Sequence, residues 1–285
     1  MATTGDVVRV AAMSDVHYAK SSAGTLQAVF SQVAEQADVL LLCGDLTDFG
    51  LVEEARILAK DLTATVKIPI VAVLGNHDFE SNQEQEIAKV LADAGVRVLD
   101  GDTTEVHGVG FAGVRGFCGG FGRGALGAWG EPIIKQFVHE AVNETLKLET
   151  ALARLKTTHR IAMLHYAPIQ QTVVGEPEVI YPFLGSSRME EPLARYQVTA
   201  VFHGHAHKGT VEGRTAGGIP VFNVALPLLT SVYPDRPPFW LLELREPAEA
   251  EAPVPQERRQ GGRRATDRPP PTDGAHAPSI SSLNR

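Results

Sequence analysis

The feature that most constrains this chain is a recurring local pattern. Short apolar runs each stop abruptly at a cluster of Asp, His or Asn. Val7–Met13 runs into Ser14-Asp15-Val16-His17, Asp38–Cys43 into Gly44-Asp45-Leu46, and Ile68–Leu74 into Gly75-Asn76-His77-Asp78. Runs this short, rich in Val, Leu and Ile, read as strands buried on both faces. Between them Thr25–Ala37, Val52–Leu62 and Gln83–Ala94 have helical spacing, the last closed by Gly95. The alternation βαβαβα predicts a largely parallel sheet with helices packed on it, an α/β class.

Beyond Gly95 the pattern changes. Val96–Leu99, Thr103–His107 and Val109–Val114 read as short strands, Gly116–Gly130 is a glycine-rich stretch, and Pro132–Leu155 is a long helix. A strand at Arg160–Leu164 ends at His165-Tyr166-Ala167-Pro168. Another at Thr199–Phe202 ends at His203-Gly204-His205-Ala206-His207, and strands follow at Gly218–Val224 and Phe239–Leu244. Between the two histidine clusters lies Ile169–Ser187, rich in Pro, Gly and Ser. A loop that long inside a domain is functional or mobile.

From Glu246 onward Pro, Ala, Glu, Arg and Gly dominate and apolar side chains nearly vanish. Such a segment does not bury enough surface to offset chain entropy. The expected organisation is one domain over 1–245 and a disordered tail over 246–285. A solvated linker is the simplest role for the tail arginines Arg258, Arg259, Arg263 and Arg264, with an anionic surface as the alternative.

The formal net charge of −8 argues against a long nucleic-acid partner, which wants a basic face. No stretch is long and apolar enough to span a membrane, and the polar start has no leader pattern. The two cysteines, Cys43 and Cys118, make no disulfide framework, so a reducing cytoplasm is the expected compartment. The oligomeric state is left open.

In parallel α/β sheets ligands gather at the carboxyl ends of the strands. Five strand ends here supply Asp, His or Asn, and none of those loops needs them for folding alone. Oxygen donors mixed with imidazoles suit Mn, Fe or Zn better than Ca.

Asp15-Val16-His17, Gly44-Asp45-Leu46-Thr47-Asp48, Gly75-Asn76-His77-Asp78, His165 and Gly204-His205-Ala206-His207 occur in that order. Together they resemble the five motif blocks of the calcineurin-like metallophosphoesterase superfamily. The resemblance implies a four-layer αββα sandwich of two mixed β-sheets flanked by helices. It implies two divalent or mixed-valence metal ions. Asp15, His17, Asp45 and His207 would hold the first, and Asp45 would bridge to a second completed by Asn76, His165 and His205. A hydroxide bridging the metals would attack phosphorus in line. His77 would protonate the leaving oxygen without binding metal, with Asp78 orienting it and Asp48 in a supporting role.

Superfamily protein phosphatases carry GDxVDRG and an arginine in the third block, whereas Phe49-Gly50 and His77-Asp78-Phe79 stand here. The superfamily's nucleases are longer. What remains resembles the bacterial branch of class III cyclic-nucleotide phosphodiesterases and Icc-related phosphohydrolases. The expected substrate is a small phosphodiester, a cyclic nucleotide among the candidates. A phosphomonoesterase acting on a small metabolite, or a non-catalytic scaffold, are the alternatives. The nearest cations for a phosphate are Arg115 and Arg123, beside and within the glycine-rich stretch. That stretch is either a plain connection or a wall of the substrate site. His203 has no slot in the motif and is assigned a structural or supporting role. Cys43 is expected in the core and Cys118 stays open.

Overall fold

The computed structural model describes residues 7–245, and the tail expected over 246–285 lies outside the described residues. The strands are β1 (Val7–Met13), β2 (Val39–Cys43), β3 (Ile70–Val73), β4 (Val96–Val98), β5 (Asp102–Val106), β6 (Val109–Gly113), β7 (His159–Met163), β8 (Ala200–His203), β9 (Glu212–Arg214), β10 (Pro220–Asn223) and β11 (Trp240–Arg245). The helices are α1 (Gln27–Gln36), α2 (Val52–Thr65), α3 (Glu84–Asp93), α4 (Pro132–Arg154), α5 (Tyr181–Leu184), α6 (Glu190–Arg195) and α7 (Leu226–Val232).

Two sheets form, in the orders β11-β1-β2-β3-β4 and β5-β6-β7-β8-β10-β9. Strands β1 to β4 run parallel, and β11 closes the first sheet antiparallel to β1. In the second sheet β6, β7, β8 and β10 are parallel, with antiparallel β5 and β9 at its edges. The expected mixed-sheet sandwich is what the chain adopts.

The layering follows from strand periodicity, because successive side chains point to opposite faces. Val10, Ala12, Leu41, Val71 and Val73 meet Phe111, Ile161, Met163 and Phe202 from the other sheet in one apolar layer. The alternate residues Ala11, Met13, Leu40, Leu42 and Ala72 pack under Phe30, Leu58, Leu62 and Ile87 of α1, α2 and α3. On the far side Ala112, Ala162, Val201 and Val221 pack under Leu148, Leu152 and Leu193 of α4 and α6. Strands β2 and β3 are buried along their whole length, which is why they read as unbroken apolar runs.

The stretch 169–187 is more ordered than a plain long loop. It holds single turns at Gln170–Val173 and Glu178–Ile180 and then α5. Leu184 and Val173 pack with Phe121 of the glycine-rich stretch and with Ala206 in a small apolar cluster. Backbone bonds join the two segments, Gly119 N–H to the Pro182 carbonyl at 2.8 Å and Gly120 N–H to that of Gly185 at 2.9 Å. The glycine-rich stretch is therefore tied to the segment 169–187 rather than a free connection. Among the described residues no helix is long and apolar enough to cross a membrane.

Candidate active site

The ends of β1, β2, β3, β7 and β8 bring the motif residues to one place. Three groups have ligand atoms within 4.8 Å of one another: Asp15 with His17 and His207, His17 with Asp45 and His77, and Asp45 with His165 and His205. The groups overlap at His17 and Asp45, so they form one continuous cluster. Asn76 joins it, its Oδ1 lying 2.9 Å from His165 Nε2.

The backbone turns sharply to aim these side chains. Asp15, His17, Asp45 and His205 all have positive φ, at 58°, 42°, 49° and 69°. Non-glycine residues in that region carry a strain that persists only where the surroundings impose it, and such residues gather at functional sites. The neighbouring glycines are required for space. A Cβ on Gly44 would strike the His165 ring, one on Gly75 would strike Asp45, and one on Gly204 would strike Ser14 and Asp15.

Several of these side chains are fixed by a second contact. His165 donates from Nδ1 to the Cys43 carbonyl at 3.0 Å, which leaves Nε2 to face Asp45 Oδ1 at 3.3 Å. Asp45 Oδ1 also accepts from the His77 amide at 2.8 Å. Asp15 accepts from the His205 amide at 3.0 Å and sits 2.9 Å from His207 Nε2. Asn223 donates to the Ala206 carbonyl at 2.8 Å and holds the His205–His207 turn. Ser14 Oγ donates to the Cys43 carbonyl at 2.6 Å and ties the first block to the second. Sequence reading passed over both. Ser14 had a weak signal in its place directly before Asp15, whereas Asn223 had none.

Burial pushes the Asp15 and Asp45 carboxyls up, but the histidines facing them hold both below the usual carboxylate range. Burial lowers His165, yet Asp45 outweighs it and raises this imidazole to about 9. The Asp15 hydrogen bond raises His207, while burial lowers His17 and drives His205 down to about 4. Asp45 thus holds a positive charge at His165, and a bound cation would take the place of that proton.

Residues 8–209 match the calcineurin-like phosphoesterase family, most of the described chain. The chain belongs to that family. No curated protein matches its sequence. Among solved structures, the phosphopantetheinyl hydrolase of Mycobacterium tuberculosis superposes with a TM-score of 0.60 at 14% identity, covering 89% of this chain and 99% of that one. TT1561 of Thermus thermophilus gives 0.49 at 16% identity, covering 79% of this chain and 92% of its own.

This phosphoesterase has the donor set for the metals its family implies. Both ring nitrogens of His17 are buried without a hydrogen-bond partner, and Asp45 Oδ2 lies 3.8 Å from Nε2. An orphaned buried imidazole is costly in a closed protein; a cation at Nε2 would satisfy one nitrogen, and the Asp48 carboxylate lies 3.4 Å from the other. Carboxylate oxygens, imidazoles and one amide oxygen suit Mn, Fe or Zn.

His77 opens a single turn over His77–Phe79, and its Nδ1 donates to the Asp48 carbonyl at 2.6 Å. The orienting partner expected from sequence, Asp78, has a different place. It points inward and accepts from the amides of Leu46, Thr47 and Gly75 and from the Thr47 hydroxyl. Successive side chains of a turn diverge, so Asp78 braces the second and third blocks while the Asp48 backbone orients His77. Burial and then the charge of Asp45 push the Asp78 carboxyl up to about 6.

Arg115, expected as a phosphate contact, is committed elsewhere. Its Nη2 pairs with Glu140 Oε1 at 2.9 Å, and its guanidinium lies 4.3 Å from the Phe79 ring centre and 5.4 Å from that of Phe117. Its carbonyl accepts from the His165 and Tyr166 amides, so it supports the site from behind. Arg123 stands on the exposed turn Gly122–Gly124, in a recess with Gln170, Glu178 and Tyr181.

His203 takes the structural role. It is fully buried, with Nδ1 donating to the Gly204 carbonyl and Nε2 accepting from the Thr172 hydroxyl, each at 2.8 Å. Cys43 and Cys118 are both free and buried.

Proposed function

We propose that this chain hydrolyses small phosphodiesters, cyclic nucleotides among them, at two metal ions. Asp15, His17, Asp45 and His207 hold one, and Asp45, Asn76, His165 and His205 hold the other. The observation that carries this reading is the continuous cluster in which Asp45 belongs both to the group with His17 and His77 and to the group with His165 and His205. Bound ions at such a site neutralise phosphate charge and acidify a water. The chain's own part is to orient and to move a proton. The Asp48 carbonyl fixes His77 through Nδ1–H and leaves Nε2 free; in the imidazolium form Nε2 carries the proton that a departing alkoxide takes, and the ring is left neutral.

A diester carries one negative charge, a monoester up to two. A dianion gains from a free arginine beside the metals, and Arg115 is tied to Glu140 and stacked on Phe79. That favours the diester over the monoester reading. The acidic balance of the chain goes with a small substrate rather than a nucleic acid.

The test is a panel of mono-aryl phosphate, bis-aryl phosphate and cyclic nucleotides with Mn, Fe or Zn supplied. Diester turnover that disappears with chelator and in Asp45→Ala is expected. Faster turnover of the monoester with every metal overturns the diester reading.

A further inference from the structure

Two exposed phenylalanines are joined to the cluster through their backbones, a feature that the hydrolytic reading leaves unused. Phe49 is 53% exposed and Phe183 57% exposed. Isolated exposed apolar residues are ordinary on a protein surface. These two differ because the backbone beneath each is pinned and attached to the site.

Phe49 follows Asp48, whose carbonyl holds His77 and whose carboxylate lies 3.4 Å from His17 Nδ1. The Phe49 amide donates to Glu54 at 2.9 Å, and its carbonyl accepts from Ser81 Oγ at 2.7 Å. Phe183 belongs to α5, where its own carbonyl accepts from His205 Nε2 at 3.1 Å. The carbonyls on either side of it accept from Gly119 and Ala167. Phe49 is thus attached through Asp48 to His17 and His77, and Phe183 through its own carbonyl to His205. Asp45 is grouped with His17 and His77 and again with His205.

We infer that Phe49 and Phe183 are specificity residues that receive the two organic substituents of a phosphodiester, and that the preferred substrates carry apolar or aromatic groups on both ester arms. This rests on the diesterase reading. His77 is attached to Phe49 through Asp48, so the departing alcohol leaves over Phe49 and the retained substituent lies against Phe183. A flat ring gains most from such a platform, by stacking or edge contact beyond simple burial. A monoester has one arm and uses one platform only.

The test uses the metal-loaded full chain and two diesters with the same leaving group, phenyl p-nitrophenyl phosphate and methyl p-nitrophenyl phosphate. The wild type is expected to favour the phenyl ester in kcat/KM by roughly three- to tenfold. Phe183→Ala brings that ratio toward one with metal content kept, since its bonds to the site come from the backbone. Phe49→Ala lowers both diesters by a common factor, because both release p-nitrophenolate on its side. A Phe183→Ala ratio equal to the wild-type ratio overturns the inference, as does a common loss on both esters accompanied by loss of metal. Turnover of both esters by the wild type with no preference overturns it while leaving the diesterase reading intact. No turnover of either ester overturns both.

Discussion

Gly75 lies directly against Asp45: a methyl group on this glycine would overlap the Asp45 amide nitrogen and Oδ1 and come within 2.8 Å of His165 Cε1. The atoms it would meet belong to a backbone and to the carboxylate shared by both halves of the cluster, so neither side has room to give. Gly75→Ala is expected to lower metal affinity by at least about tenfold and to cost about 1–3 kcal/mol of stability, the usual range for overpacking. Metal retained after dialysis, together with urea unfolding, checks both. Wild-type metal content in a normally folded variant would sink the idea that Gly75 exists to make space for Asp45.

Asp78 accepts from three amides and one hydroxyl while fully buried. An amide in its place turns one acceptor into a donor facing donors. Asp78→Asn should therefore lose about 2–3 kcal/mol of stability, the range for a hydrogen bond to a charged group plus an unsatisfied partner. Below its lowered melting temperature it should keep the wild-type dependence of turnover on leaving group. Unchanged stability, with slow turnover confined to poor leaving groups, would instead return Asp78 to the catalytic role expected from sequence.

The contrast between Asp45 and Asp78 shows what was legible in the sequence. Asp45 was readable because an apolar run, β2, delivers it to a strand end. The same logic pointed to Asp15, Asn76, His165 and His205; the alternation of runs and helices predicted a largely parallel sheet, whereas the two-sheet sandwich came only with the family resemblance. Asp78 sits next to His77 in sequence, yet its partners are Leu46 and Thr47, some thirty residues away. Helix α5 was hidden for a related reason. It is four residues long and contains Pro182, so periodicity does not reveal it, and it is fixed by distant carbonyl bonds to Gly119 and Ala167. Arg115 looked like a phosphate ligand because charge is visible in sequence and the facing Glu140 and Phe79 are not.

His203 makes stability depend on pH. It is held neutral, and burial pushes its pKa down to about 4. In the unfolded chain an imidazole titrates near 6.5, so on acidification the unfolded state takes the proton first. Its contribution is complete above about pH 6.5 and is lost as pH falls toward 4, by roughly 3 kcal/mol in all. His203→Asn, which keeps a donor for the Gly204 carbonyl, should be less stable at pH 7.5 but lose less between pH 7.5 and 5. Urea midpoints of both proteins with chelator present measure this. Equal losses on acidification would show that His203 is not buried in the neutral form.

His77 has geometry that allows two roles, because it lies in the same group as His17 and Asp45 and is also anchored through Nδ1. A ligand and a proton donor leave different signatures. If His77 protonates the departing oxygen, His77→Ala keeps both metals and cuts turnover by roughly 10²–10⁴ for diesters that release a poor, alkoxide-like leaving group. The loss shrinks for p-nitrophenolate, which departs without needing a proton. Metal analysis of the purified variant, and a leaving-group series compared with wild type, separate the cases. Loss of metal in proportion to activity would make His77 a ligand, and an equal loss across the whole series would remove the proton-donor role.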